Sequence, residues 1–153
     1  MSIEPVIRSA RPDDLAMIVE LDTTARASVA SQRGGINWLV EHAPTESLDP
    51  EDVIHHCWVG TVDEHIVGFL RCVFDEVPQH GLVCSVERVY VTEQARELGF
   101  GDALLRHAIK HATNVGCVAI EGNALPGDRE TKNLYERAGI VARKIIVSRR
   151  LNQ

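Results

Sequence analysis

The sequence predicts an α/β fold, a mixed β-sheet with helices on its faces, in the order β-α-α-β-β-β-α-β-α-β. Three observations predict it. Between Val53 and Val91, three β-branched runs follow one another with only short turns between them, as in a meander. From Gly101 the spacing of apolar residues changes from two to about 3.6. After that, strand-like and helix-like segments alternate to the end, as parallel crossovers require. A single domain over residues 1–153 holds all of these elements, since 153 residues is an ordinary domain size.

The first element is Ile3 to Ala10, which alternates and reads as a strand. Pro12-Asp13-Asp14 then marks a helix start, with proline and acids in its first turn. Leu15, Ile18, Val19 and Leu21-Asp22 continue it at helical spacing, and Ala25 to Gln32 either extends it or begins a second helix. Arg33-Gly34-Gly35 breaks the pattern, and Trp38-Leu39-Val40 with Glu41-His42 suggests another helical turn that stops near Pro44. The stretch from Ala43 to Asp52 is polar and reads as a loop.

Strands follow at Val53–Val62, Ile66–Phe74 and Leu82–Val91, separated by turns at Asp63-Glu64-His65 and Pro78-Gln79-His80-Gly81. Leu104, Leu105, Ala108, Ile109 and Ala112 share one face of a helix that runs from Gly101 to Asn114. Gly116 stands just past its end. Cys117 to Gly122 is a short buried strand, and Asp128 to Ala138 a helix with Asp128 as N-cap and Gly139 beyond its end. Val141 to Leu151 alternates as a final strand.

Composition excludes several classes of function. Hydrophobic residues at 44% and charged residues at 25% fit a soluble globular chain rather than a disordered one. The net charge of −6 argues against nucleic-acid partners and mildly favours cationic or amine ones. No apolar run approaches the roughly 20 residues of a membrane helix. The N-terminus lacks the basic start and apolar stretch of a signal peptide, so the expected location is the cytoplasm.

Neither the cysteines nor the histidines suggest a metal. Cys57, Cys72, Cys84 and Cys117 form no C-x-x-C pair and sit in apolar runs, where cysteine behaves as a small hydrophobe. If the hairpin turn centres on Glu64-His65, Cys57 faces Cys72, though both are expected to be thiols in a reducing cytosol. Of the seven histidines, His107 and His111 lie one turn apart without the glutamate of a zinc motif, and read as surface residues. His55-His56 is a weaker candidate for the wall of an acceptor site.

The most informative stretch runs from Val89 to Leu105. A strand ends at Val91, a short loop follows, and Gly99 and Gly101 open a helix. N–H groups at a helix start are unpaired and partially positive, so they hold anions. Glycine lets main chain approach a phosphate, and Arg96 can add charge-assisted hydrogen bonds. Taken alone, the two glycines fit a plain strand-to-helix turn equally well. A dinucleotide-binding loop fits poorly, because the third glycine is absent and the loop follows the fourth strand rather than the first.

The fuller pattern, Arg96-x-x-Gly99-x-Gly101 with Val91 five residues ahead of Arg96, resembles the acetyl-CoA signature of the GNAT N-acetyltransferase superfamily. The order of elements is similar to that fold, and Leu134-Tyr135-Glu136-Arg137-Ala138-Gly139-Ile140 resembles the family's tyrosine-bearing helix. The chain departs from the family at two places. Asp128 stands where an asparagine is frequent seven residues before the tyrosine, with Asn123 or Asn133 as substitutes. The C-terminus has room for one long strand rather than two, which leaves an edge open to another chain; the sequence allows a homodimer through the sheet edge or the C-terminal strand.

The resemblance implies a GNAT-like fold with a central mixed, splayed sheet and an N-acetyltransferase moving an acetyl group from acetyl-CoA to an amine by direct attack. It implies that acetyl-CoA lies where Leu82–Val91 and Cys117–Gly122 splay apart, against Val89, Tyr90 and Val91. The pyrophosphate rests on Arg96, Glu97, Leu98, Gly99, Phe100, Gly101 and Asp102, with the side chains of Glu97 and Asp102 turned outward, and Asn123 and Tyr135 complete the cofactor site. Tyr135 is the candidate acid, since a phenol is protonated at neutral pH and can hydrogen-bond the leaving sulfur. Glu121 and Glu87 are the candidate bases, because both interrupt apolar strands beside the splay. Strand alternation puts Glu87 on the face of Val89 and Val91. No metal is implied. The acceptor side is expected from Arg26 to Glu46 and at the Pro78–Gly81 turn. The competing readings are an acyl-CoA-binding or sensing domain without turnover, and a fold relic serving as an interaction module.

Overall fold

The structure, a computed structural model, describes residues 4–152; Ile3, assigned to the first strand, lies outside them. Five strands form one sheet in the order β1-β2-β3-β4-β5: β1 (Val6–Ser9), β2 (Cys57–Val62), β3 (His65–Val77), β4 (Gly81–Val91) and β5 (Ala119–Gly122). All neighbours are antiparallel except β4 and β5, which are parallel, so the sheet is mixed. The helices are α1 (Leu15–Val29), α2 (Gly35–Glu41), α3 (Pro50–His55), α4 (Phe100–Asn114) and α5 (Arg129–Arg137).

Each face of the sheet carries its own core. On one, Leu104, Leu105 and Ala108 of α4 with Leu134 and Tyr135 of α5 pack on Trp58, Leu70, Cys84 and Val86. On the other, Ile18 and Leu21 of α1 and Val53 of α3 pack on Cys57, Val59 and Phe69. At β1, Arg8 grips Asp14 with bonds of 2.7 and 2.9 Å and so fixes the start of α1; that ion pair holds the Asp14 carboxyl below its ordinary range.

The sequence reading of Val53–Val62 as strand is corrected over its first half, where Val53 to His55 end a helix. Pro50 stands at its first turn, Glu51 and Asp52 follow, and the Asp49 carboxylate accepts the Glu51 N–H at 2.9 Å. That cap outweighs the β-propensity of Val53-Ile54 and converts part of the expected loop into helix. The hairpin turn is also displaced. It centres on Asp63 and Glu64, both with positive φ, rather than on Glu64-His65. A bulge in β3 at Val67 then shifts the register, and Cys57 pairs with Arg71 instead of Cys72. Cys57 and Cys72 therefore lie on opposite faces of the sheet, in different cores, and both are free thiols.

The expected last strand, Val141 to Leu151, does not form: residues 141–152 are exposed and in neither helix nor strand. β-Branched residues favour a strand only where a neighbour completes the main-chain ladder, and none does so here. His111 is likewise not a surface residue. It sits half-buried against Trp58, with ring centroids 5.2 Å apart, and near His56 and Phe74.

Candidate active site

A single irregularity in β4 shapes the site. Arg71 pairs with Arg88 and Cys72 with Val86, so Glu87 is an extra residue, a β-bulge. The bulge corrects the alternation expected from sequence: Val86 shares the α4 face with Val89 and Val91, and Glu87 stands out of phase between them. The pairing of β4 with β5 ends at Val86 and Gly122, directly before the bulge. From Glu87 onward β4 keeps β3 on one side and, among the described residues, has no strand on the other. The two parallel strands therefore part here and open a cleft.

The cleft has a volume of about 800 Å³, within the usual range of roughly 300–1,000 Å³ for ligand sites. Its walls are β4 from Val86 to Val91, the start of α4, the loop after β5, and α5. Glu87, Val89, Tyr90, Val91, Arg96, Glu97, Gly99, Phe100, Gly101, Asp102, Asn123 and Tyr135 all line it. Leu98 does not, and Asn133 and Asp128 do. Asp128 is committed elsewhere: its carboxylate caps α5, accepting from the Thr131 N–H at 3.0 Å and its hydroxyl at 2.7 Å.

The start of α4 suits an anion. Gly99 is left-handed (φ 88°), as is Glu97 (φ 70°), and this turns the chain sharply into the helix. The first helical bond runs from Ala103 N–H to Gly99 C=O, at 3.0 Å. The N–H groups of Phe100, Gly101 and Asp102 have no partner among the described residues, and the helix dipole adds to their partial charge. Gly101 lines the cleft, and a Cβ there would meet the Leu134 methyls of α5 at 3.4 and 3.5 Å. Arg96 is held by protein partners: its Nε donates to the Val91 carbonyl at 3.1 Å, its guanidinium lies over the Tyr90 ring, and its Nη1 stands 3.7 Å from the Glu130 carboxylate of α5. Asp102 is not simply turned outward. It takes Arg137, Nε to Oδ1 at 2.9 Å, which neutralises a carboxylate beside the anion cradle. Arg137, also a cleft residue, escaped the sequence reading; its position two residues after Tyr135 is the one available signal.

Tyr135 is buried (6% exposed) among apolar side chains at the cleft floor, and that burial pushes its phenol well above the ordinary value. No hydrogen bond from its hydroxyl is found among the described residues. The ring lies against Gly122, the last residue of β5: a Cβ there would come within 2.4 Å of the hydroxyl. Gly122→Ala should therefore displace the phenol. Overpacking of this kind costs about 1–3 kcal/mol. Urea denaturation should show that loss, together with a fall in any turnover that depends on Tyr135.

The two candidate bases separate. Glu87 lines the cleft at the bulge. Glu121, on β5, is outside the lining, and its carboxylate is taken by the Arg143 guanidinium.

The far wall comes from the other face of the sheet. Asp22 of α1, fully buried, binds Arg88 Nε at 3.1 Å and the Thr45 N–H at 3.0 Å. Arg88 also donates to the Ala43 carbonyl at 2.7 Å and lies over the Trp38 ring, 4.7 Å from its centroid. Arg26 caps α2 through the His42 carbonyl, at 2.6 Å. Trp38 and Arg26 thus face the cleft where the sequence placed an acceptor wall. The Pro78–Gly81 turn does not, because it lies at the opposite end of β4. His55 and His56 are not part of the lining either. Among the described residues no group of three or more His, Cys, Asp or Glu side chains converges to hold a metal, and no helix is long and apolar enough to cross a membrane.

Residues 18–140 match the pattern of the Acetyltransferase (GNAT) family. The chain belongs to that family. No curated protein matches the sequence. Among solved structures, a putative acetyltransferase from Agrobacterium tumefaciens str. C58 superposes with a TM-score of 0.70 at 21% identity, over 95% of this chain and 99% of that one. A ribosomal-protein-alanine N-acetyltransferase from Brucella melitensis biovar Abortus 2308 gives 0.68 at 18% identity, over 98% and 99%. The aminoglycoside N-acetyltransferase AAC(6')-Iy, in complex with CoA, gives 0.72 at 16% identity, over 98% and 96%. At these identities the likeness is one of fold: this GNAT chain shares the mixed, splayed sheet of an acetyltransferase.

Proposed function

We propose that this GNAT chain is an N-acetyltransferase that moves the acetyl group of acetyl-CoA to an amine by direct attack, in the cytoplasm. One observation carries the reading: the parting of β4 from β5 at the Glu87 bulge opens a cleft with Tyr135 on its floor and the unpaired start of α4 at its mouth. The N–H groups of Phe100, Gly101 and Asp102 hold the pyrophosphate. The free side of β4 around Val89 pairs with the amide-bearing arm, as an added strand would. Acetyl-CoA supplies a thioester, whose carbonyl carbon accepts the amine and whose sulfur leaves.

In this reading a nitrogen–carbon bond forms and the carbon–sulfur bond breaks. Glu87, directly or through water, takes the proton that the amine loses and passes it to solvent. Tyr135 donates a hydrogen bond to the sulfur as negative charge grows there, and the thiolate draws its proton from water. The raised phenol fits this role, since a weak acid donates a hydrogen bond without surrendering its proton. Trp38 and Arg26 line the acceptor side. Holding both reactants in one cleft supplies much of the rate by proximity.

The test is thiol release from acetyl-CoA over a panel of amines: small polyamines, amino acids, aminoglycosides and N-terminal peptides. Release that depends on one class of amine is expected. Acetyl-CoA binding without release on any of them would favour the second reading, a non-catalytic acyl-CoA-binding or sensing domain. That reading draws on Glu121, whose carboxylate is occupied by Arg143.

A further inference from the structure

Where α1, α2 and β4 line the cleft, the charged side chains are Asp22, Arg26, Glu87 and Arg88. Asp22 and Arg88 are buried and paired, so their charges cancel. Arg26 and Glu87 are left over. Both are half-buried, and among the described residues neither forms an ion pair. A charge held partly out of water without a counter-charge is unfavourable, and a ligand that brings the counter-charge relieves it.

Arg26 is fixed in place and keeps donors free. Its Nη1 and Nη2 donate to the His42 and Leu39 carbonyls, at 2.6 and 3.5 Å. A guanidinium carries more N–H groups than two carbonyls take, and the rest have no partner among the described residues. Arg26 and Arg88 both lie against the Trp38 ring, 5.8 and 4.7 Å from its centroid, and His42 stacks on the same indole. Burial holds the Arg88 guanidinium below its ordinary range, and Arg26 adds to that effect. Two guanidiniums thus share the one carboxylate of Asp22, a local excess of positive charge. An arginine already held in position loses little freedom when it takes a carboxylate. Gln32, on the same wall, has a buried amide oxygen without a partner among the described residues, which a donor on the ligand would satisfy.

We propose that this end of the cleft binds a small amino acid, its carboxylate on Arg26 and its amine at Glu87. The inference rests on the acetyl-transfer reading, which places the amine at Glu87, and it names the class of acceptor. A molecule with one positive and one negative group meets each of the two unbalanced charges with its opposite. Polyamines and aminoglycosides leave Arg26 without a counter-charge, and a simple carboxylic acid leaves Glu87 without one. The N-acetyl product keeps its carboxylate but no longer has a charged amine, so its hold at Glu87 weakens after transfer.

Isothermal titration calorimetry on the full chain, in the presence of CoA, tests it. The probes are the free proteinogenic L-amino acids and the α-carboxamide of each one that binds. The carboxamide keeps the amine and the side chain and loses the negative charge. At least one amino acid should bind, and its carboxamide about tenfold more weakly or worse, as when a hydrogen bond to a charged group is lost. Arg26→Gln should remove that preference, so that acid and carboxamide bind alike. The ratio of the two affinities is the readout, since a loosened α2 would weaken both together. Arg26→Lys, which keeps the charge, should retain part of the preference, and it decides where Arg26→Gln melts without cooperativity or binds neither probe. Thiol release from acetyl-CoA with the same probes is the parallel measurement. Binding selective for the acid without its acetylation retains this site and sinks the catalytic reading. Acetylation of amines with no preference for the acid retains the catalytic reading and overturns this one. A wild-type chain that binds no amino acid, or binds the carboxamide as tightly, or a preference undiminished in the Arg26 variant also overturns the proposal.

Discussion

Tyr135→Phe should lower kcat by about a hundredfold, the usual loss when one preorganised donor to a developing charge is removed. Acetyl-CoA affinity should change little, because in the proposed mechanism the phenol hydroxyl bonds only the sulfur, as charge grows there. The substitution is conservative in packing: Tyr135 is buried among apolar side chains and its hydroxyl has no bond to lose among the described residues. Stability should therefore be nearly unaltered, which separates a chemical role from a structural one. Burial also holds the phenol above its ordinary value. An acid of raised pKa stays protonated through its ordinary range, so Tyr135 should impose no alkaline fall in kcat up to about pH 10. Wild-type turnover in Tyr135→Phe contradicts the role.

Asp22→Ala should have the largest effect on stability. Asp22 and Arg88 are both buried, and the carboxylate serves the guanidinium and the Thr45 N–H together. Removing it leaves Arg88 charged and unpaired, which costs about 3–5 kcal/mol. Arg71, the cross-strand neighbour of Arg88, brings no acid, and Arg26 opposes the charge, so only Glu87 at the bulge remains to offset it. The pair also ties α1 to β4 at the residue after the bulge, so turnover should fall along with stability. The double variant Asp22→Leu with Arg88→Met should recover much of the loss in urea denaturation, because an apolar pair of similar volume is often no less stable than a buried ion pair. A loss below about 1 kcal/mol for Asp22→Ala contradicts this reading.

The part of the fold that the sequence revealed best is the part governed by local signals. Gly99 and Gly101 before an amphipathic run marked the start of α4, and Asp128 marked the start of α5. Misread elements depend on interactions that no single-residue pattern displays. The Glu87 bulge is set by the pairing of β4 with both neighbours, so alternation could not reveal it. The helix at Pro50–His55 is legible in Asp49-Pro50-Glu51-Asp52, but the β-branched Val53-Ile54 carry the opposite local signal, that of a strand. Asp22 with Arg88 and Asp102 with Arg137 join residues 66 and 35 positions apart. Gly122 gave no sign of its packing against Tyr135. The C-terminal run had strand composition, but composition does not supply the neighbour that a strand requires.

The most direct test of the account is acetyl-CoA binding, read as thermal stabilisation of the wild-type chain and of Gly101→Val. A Cβ on Gly101 would meet the Leu134 methyls at 3.4 and 3.5 Å, so the valine side chain should press on that cleft residue and narrow the cleft beside the start of α4, with urea denaturation checking that the variant still folds. A ligand at about 100 times its Kd stabilises the native state by about 2.7 kcal/mol. The wild-type chain should gain that much, and Gly101→Val most of it only at far higher acetyl-CoA. A wild-type chain that gains nothing at saturating acetyl-CoA, or a Gly101→Val chain that gains as much at the same concentration, contradicts the account.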